Sequence, residues 1–149
     1  MFNFDAKLEE GAEAQKKAEE QKLEISNVYK ELSNSLSKFL GFEVSFYETI
    51  EYEQNTPMTM TAALISNKLK KTGYKEITLG ESDSNLRSKV LFKTIEPEDG
   101  YPVTIVHDKS KYISYSQEEL AVAMQSIISN VSFHAALSSF KAKHQENSQ

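Results

Sequence analysis

Residues 5–22 read DAKLEEGAEAQKKAEEQK, and the chain continues through residues 23–42 as LEISNVYKELSNSLSKFLGF. The first tract is made of Ala, Glu, Lys and Gln, strong helix formers that bring little to bury. Glu13 stands three and four residues before Lys16 and Lys17, a spacing that supports a helix, whereas Asp5 and Glu9 set like charges four apart. Gly11 weakens the tract further. In the second tract Ile25, Tyr29, Leu32, Leu36 and Phe39 recur at intervals of four and three, with Val28 and Leu40 widening the stripe. Gly41 then supplies a stop. The pattern predicts one helix of about 35 residues whose second half docks on a core. Run backwards, the stripe meets Lys22, Ala18, Gln15, Gly11 and Leu8, too small or polar for a self-sufficient coiled coil. Residues 1–22 are therefore expected to form a helical arm, with a globular domain over 23–142 and a frayed tail over 143–149.

Downstream, FEVSFYETIEYE (42–53) alternates. Phe42, Val44, Phe46, Ile50 and Tyr52 share one face, so this is a strand with one buried side. Glu48 is the exception, a carboxylate on the apolar face. Thr56 and Pro57 suit a helix start, and the segment from there to Gly73 reads as a short crossover helix with lysines in its last turns. A strand over 58–65 is the competing reading. Short strands are expected at 74–79, 87–96, 101–107 and 112–115, separated by turn-rich GESDSN, PEDG and DKSK. Ser116 with Glu119 forms a capping box. It opens a long C-terminal helix with Leu120, Met124, Ile127, Ile128, Val131 and Ala135 as its inner stripe. The fold class is α+β: a long N-terminal helix, a mostly antiparallel sheet of about five strands, a short crossover helix and a long C-terminal helix packed on the sheet.

Composition narrows the function. The 149 residues include no cysteine, so no disulfide framework or thiol nucleophile exists. The net charge of −5 argues against nucleic acid or anionic lipid as the main partner. The first residues lack a signal peptide's basic and apolar regions, and the longest apolar tract is broken by polar residues. A cytoplasmic setting is expected.

Candidate chemistry is sparse. Glu48 half-buried among apolar residues is a candidate acid or base, though a lysine partner explains it as well. His107-Asp108 is a fragment of a triad or metal site, but no serine sits in a nucleophile elbow. His134 and His144 lack ligand spacing with each other or with His107. Glu81 and Asp83 lack the ligand series of a calcium loop. No metal, cofactor or small-molecule ligand is implied. Lys68, Lys70, Lys71 and Lys75 form the one basic patch, a candidate anion or nucleic-acid contact, although a helix C-terminus repels phosphate. Tyr47, Tyr101, Tyr112 and Tyr115 lie on or beside strands, where tyrosines serve both as strand formers and as recognition residues.

The pattern favours a non-enzymatic interaction or assembly module over an enzyme with a dispersed Glu/His site. Inhibitors, chaperones and phage-type host-interaction proteins can all be as small, acidic and motif-poor as this. The expected partner is a protein, either a second copy or a different chain. The expected contacts are Leu8, Ile25, Tyr29, Leu32 and Leu36 on the helix, and Tyr47, Glu51 and Glu53 on the sheet.

Overall fold

The computed structural model describes residues 2–53 and 70–147. Its elements are α1 (Phe4–Leu40), β1 (Val44–Tyr52), β2 (Lys71–Glu81), β3 (Phe92–Ile95), β4 (Val103–His107), β5 (Ser110–Ser114), α2 (Gln117–Ile128) and α3 (Val131–Asn147). The strands form one antiparallel meander in the order β1-β2-β3-β4-β5. The second half of α1, with α2 and α3, covers one face. The α+β class read from the sequence is the one observed.

Helix α1 is continuous and ends where Gly41, at φ 88°, donates to the Ser37 carbonyl at 2.9 Å. Its buried residues are Ile25, Leu32, Leu36 and Leu40. Phe39 falls outside that stripe and is 64% exposed, resting edge-on against His134. Leu40 takes the inward place because the stripe drifts along a helix of 3.6 residues per turn. The sheet contributes Ile77, Leu79, Phe92, Val103 and Ile105 to the core, and α2 adds Leu120, Met124 and Ile127.

The sequence reading needs three corrections. First, the expected crossover helix falls mostly on residues 54–69, outside the described residues, but its expected end does not: Lys71 to Gly73 belong to β2. Between Ile50↔Lys75 and Tyr52↔Lys71 the register shifts, leaving two more residues on β2 than on β1. Gly73, at φ 92°, turns within this bulge, and Thr72 Oγ1 accepts from the Tyr74 amide at 3.1 Å. The glycine taken for a helix stop is a bulge glycine.

Second, the strand expected at 87–96 is regular only over Phe92–Ile95. Ser88 and Leu91 donate to Leu79 and Ile77, each at 2.8 Å, so three residues span what two span on β2. The Ser88 hydroxyl accepts from the Leu79 amide at 2.9 Å in place of a backbone carbonyl.

Third, the C-terminal helix is two helices bent by 69°. At the break the Ser129 hydroxyl donates to Gln125 O, and Asn130 Oδ1 accepts from the Ser132 amide at 3.0 Å, capping α3. The bend turns Val131 and Ala135 outward and brings in Phe133, Leu137 and Phe140. Helix α3 runs on to Asn147 instead of fraying at 142. His144 stacks on Phe42 with ring centroids 3.6 Å apart and lies 3.0 Å from a Glu81 carboxylate oxygen. No single described helix is long and apolar enough to cross a membrane.

Candidate interaction surfaces

The arm of α1 is a surface without an intramolecular partner among the described residues. Residues 2–17 are all exposed. Phe2, Phe4 and Leu8 are 83%, 67% and 71% exposed. The two phenyl rings stack on each other, centroids 5.5 Å apart, and Lys7 pairs with Glu10 at 3.0 Å. Contact with the domain begins near Gln21, whose side chain packs under Gly100 and accepts from the Tyr101 amide at 3.4 Å. Tyr101 Oη then donates to Glu24 at 3.1 Å, and Gln117 Nε2 donates to the Glu24 carbonyl. These polar contacts mark where arm becomes core.

The helix residues named from the sequence divide accordingly. Leu8 is exposed on the arm. Ile25, Leu32 and Leu36 are buried in the chain's own core, and Tyr29 packs there against Phe46 and Phe92. Ile25, Leu32 and Leu36 are thus closed off by the chain itself, and Tyr29 is half-buried.

The sheet face opposite the helices is uncovered among the described residues. Tyr47 lies beneath the Arg87 guanidinium, 3.7 Å from its ring centroid. Gly80 makes that stack possible: a Cβ there would meet Tyr47 Cε2 at 2.5 Å and Arg87 Nη1 at 2.6 Å. Sequence reading passed over Gly80 and Arg87, because only the register Ser45↔Gly80 brings them under Tyr47. Glu51 is paired with Lys93, whose hydrogen bond holds the Glu51 carboxyl below the ordinary carboxylate range. Glu53 is exposed, and its amide donates to the Lys70 carbonyl at 2.8 Å. The face is thus a set of closed polar pairs on an aliphatic ground of Ile95, Val106 and Ile113.

Of the basic patch, three lysines fall among the described residues. Lys68 lies outside the described residues. Lys70 precedes β2, Lys71 sits opposite Tyr52, and Lys75 is paired with Glu48 at 3.3 Å. That last pair is the lysine partner that accounts for Glu48 on the apolar face. Among the described residues Lys71 and Lys75 lie on a strand and not on the last turn of a helix.

The Glu/His candidates stand apart. Glu48 sits opposite Ile77, which sits opposite Phe92 on β3, and β4 lies one strand further. Three inter-strand steps place Glu48 and His107 about 14 Å apart. His134 is exposed, 2.7 Å from the Ile128 carbonyl through Nε2. His107 is buried and has different company. Its Nδ1 lies 3.0 Å from the Leu91 carbonyl, and its Nε2 lies 3.1 Å from Ser132 Oγ. Ser132 Oγ is also 2.6 Å from Asp108 Oδ2 and 2.9 Å from Asn130 Oδ1.

A shallow cavity of about 320 Å³ opens beside this cluster, lined in part by Val90, Val106, Phe133 and Ala136. The order of groups is wrong for a nucleophile. A reactive serine gives its proton to an imidazole that a carboxylate orients from behind. Here the carboxylate makes the serine's shortest contact, and a backbone carbonyl stands behind the imidazole. The cluster clasps the β4–β5 turn, where Asp108 has φ 53°, to the start of α3. Sequence reading saw His107 and Asp108 but missed Ser132, which lies 24 residues beyond Asp108 and meets it only through the α2–α3 bend.

Among the described residues no group of three or more His, Asp or Glu side chains could hold a metal ion. Comparison with protein-family models, with curated proteins and with solved structures finds no match.

Proposed function

We propose that the protein is a non-enzymatic interaction or assembly module whose helical arm docks on a protein partner. The carrying observation is that residues 2–17 extend a folded helix while touching nothing else, with Phe2, Phe4 and Leu8 held in solvent. Ordering a residue costs about 1–2 kcal/mol. Here only helix hydrogen bonds and propensity offset that cost, since no apolar area is buried in return. A partner covering the Phe4–Leu8 side would supply the missing burial. Inhibitor, chaperone and host-interaction roles all fit such an element.

The test is the double substitution Phe4→Ser and Leu8→Ser in the full chain. Both side chains are solvent-exposed, so the fold is left intact. The wild-type chain should sediment or co-purify from its native cells in an assembly that the variant does not form. Identical masses and identical associated proteins for the two chains would overturn the reading.

A further inference from the structure

Between α1 and the first three strands lies a cavity of about 340 Å³. That volume falls within the roughly 300–1,000 Å³ of small-molecule sites. Ile25, Phe46 and Ile77 give it apolar walls, and Glu48 and Glu96 line it from β1 and from the residue after β3. Tyr29 lines it as well. Thr94 stands on β3 two residues before Glu96 and is 1% exposed. The Tyr29 and Thr94 hydroxyls are neighbours. Both oxygens are closed off from solvent, yet neither has a hydrogen-bond partner of sound geometry among the described residues. Buried hydroxyls are seldom left so, and water or a ligand normally completes them.

The surrounding charges select the sign of a ligand. Burial foremost, and further the charges of Glu96 and Glu48, push the Tyr29 hydroxyl up, with Thr94 opposing. Both carboxylates are therefore felt at Tyr29 Oη. Burial and then Glu48 push the Glu96 carboxyl up, against smaller effects of Lys75 and Lys22. Those lysines do not fill the site: Lys75 is paired with Glu48 at 3.3 Å, and Lys22 is exposed. An ammonium group supplies what is lacking here. It brings a positive charge to Glu96 and N–H donors to the hydroxyl oxygens. A hydrocarbon stem behind it suits the apolar walls.

We infer that this cavity binds a small aliphatic amine as its ammonium ion, whose N–H groups donate to the Glu96 carboxylate and to Tyr29 Oη while its chain lies on Ile25, Phe46 and Ile77. The site is separate from the exposed arm and does not depend on the arm's role.

The test is an NMR titration of the isotope-labelled full chain with n-butylammonium chloride at neutral pH and fixed ionic strength, with n-butanol as the uncharged control. The amides of Ser26, Tyr29 and Ile77 should shift and saturate with a Kd of about 1 mM or below. The alcohol should bind about tenfold more weakly or worse. Glu96→Gln, at an exposed position, leaves the fold intact and should weaken the amine by about tenfold or more. Tyr29→Phe keeps the ring in the core and should weaken the amine while leaving the alcohol unchanged. Equal affinity for amine and alcohol would overturn the inference, since the cavity would then be an apolar void with no preference for charge. So would a lack of saturation up to about 20 mM amine, which leaves water alone to serve the two hydroxyls. A Glu96→Gln chain that binds the amine as tightly as wild type would overturn it too.

Discussion

Single hydroxyls hold two of the joints in this molecule, and each makes a prediction. Ser132 serves His107, Asp108 and Asn130 at once. His107 is 6% exposed, so Ser132→Ala leaves its Nε2 without this partner in a buried place. A loss of about 1–3 kcal/mol is expected, read from urea unfolding midpoints. Tyr101 joins the base of the arm to the domain through Glu24. Burial first, and then its hydrogen bond to Glu24, push its hydroxyl up to about 12 from an ordinary value of 10.0. A group raised on folding contributes stability that is intact below its unfolded value and is lost as pH climbs to its folded one. The urea midpoint should therefore fall between about pH 10 and pH 12, and fall less in Tyr101→Phe. Tyr29, raised mainly by its burial, acts in the same direction and remains in that variant.

At the scale of elements, the arm should behave as a helix outside the cooperative unit. Gly11 has no side chain and nothing near the place of its missing Cβ. Replacing it with alanine gains about 0.5–1 kcal/mol of helix propensity. Circular dichroism at 222 nm should deepen, while the melting temperature of the domain should stay put. A raised melting temperature would mean that the arm is coupled to the core. Helix α1, its Gly41 stop and the Ser116–Glu119 cap were legible because each is a local pattern in which one period or one cap decides. Half of the cap holds as read, with the Glu119 amide bonded to Ser116 Oγ at 3.2 Å, while the Glu119 carboxylate accepts from the Tyr115 amide in place of the Ser116 amide. Gly73 and Val131 misled because their roles are set from outside: Gly73 by a register with β1, Val131 by a bend two residues earlier. Tyr47 and Glu51 were legible as residues of the outer face. Their partners Arg87 and Lys93 were not, since strand pairing alone brings them together.

For the molecule as a whole, a helix-backed antiparallel sheet carries surfaces that nothing intramolecular covers among the described residues, the arm and the outer face of the sheet among them. Several of its polar clusters are paired off within the chain, as with Glu48 and Lys75, Glu51 and Lys93, and His107 and Ser132. The account rests on the arm being a docking element, and hydrogen–deuterium exchange at the amides of residues 4–17 reads this most directly. The full chain is compared alone at low concentration and in the assembly isolated from its native cells. Fast exchange in the first and strong protection in the second is the predicted result. Equally fast exchange in both would contradict it.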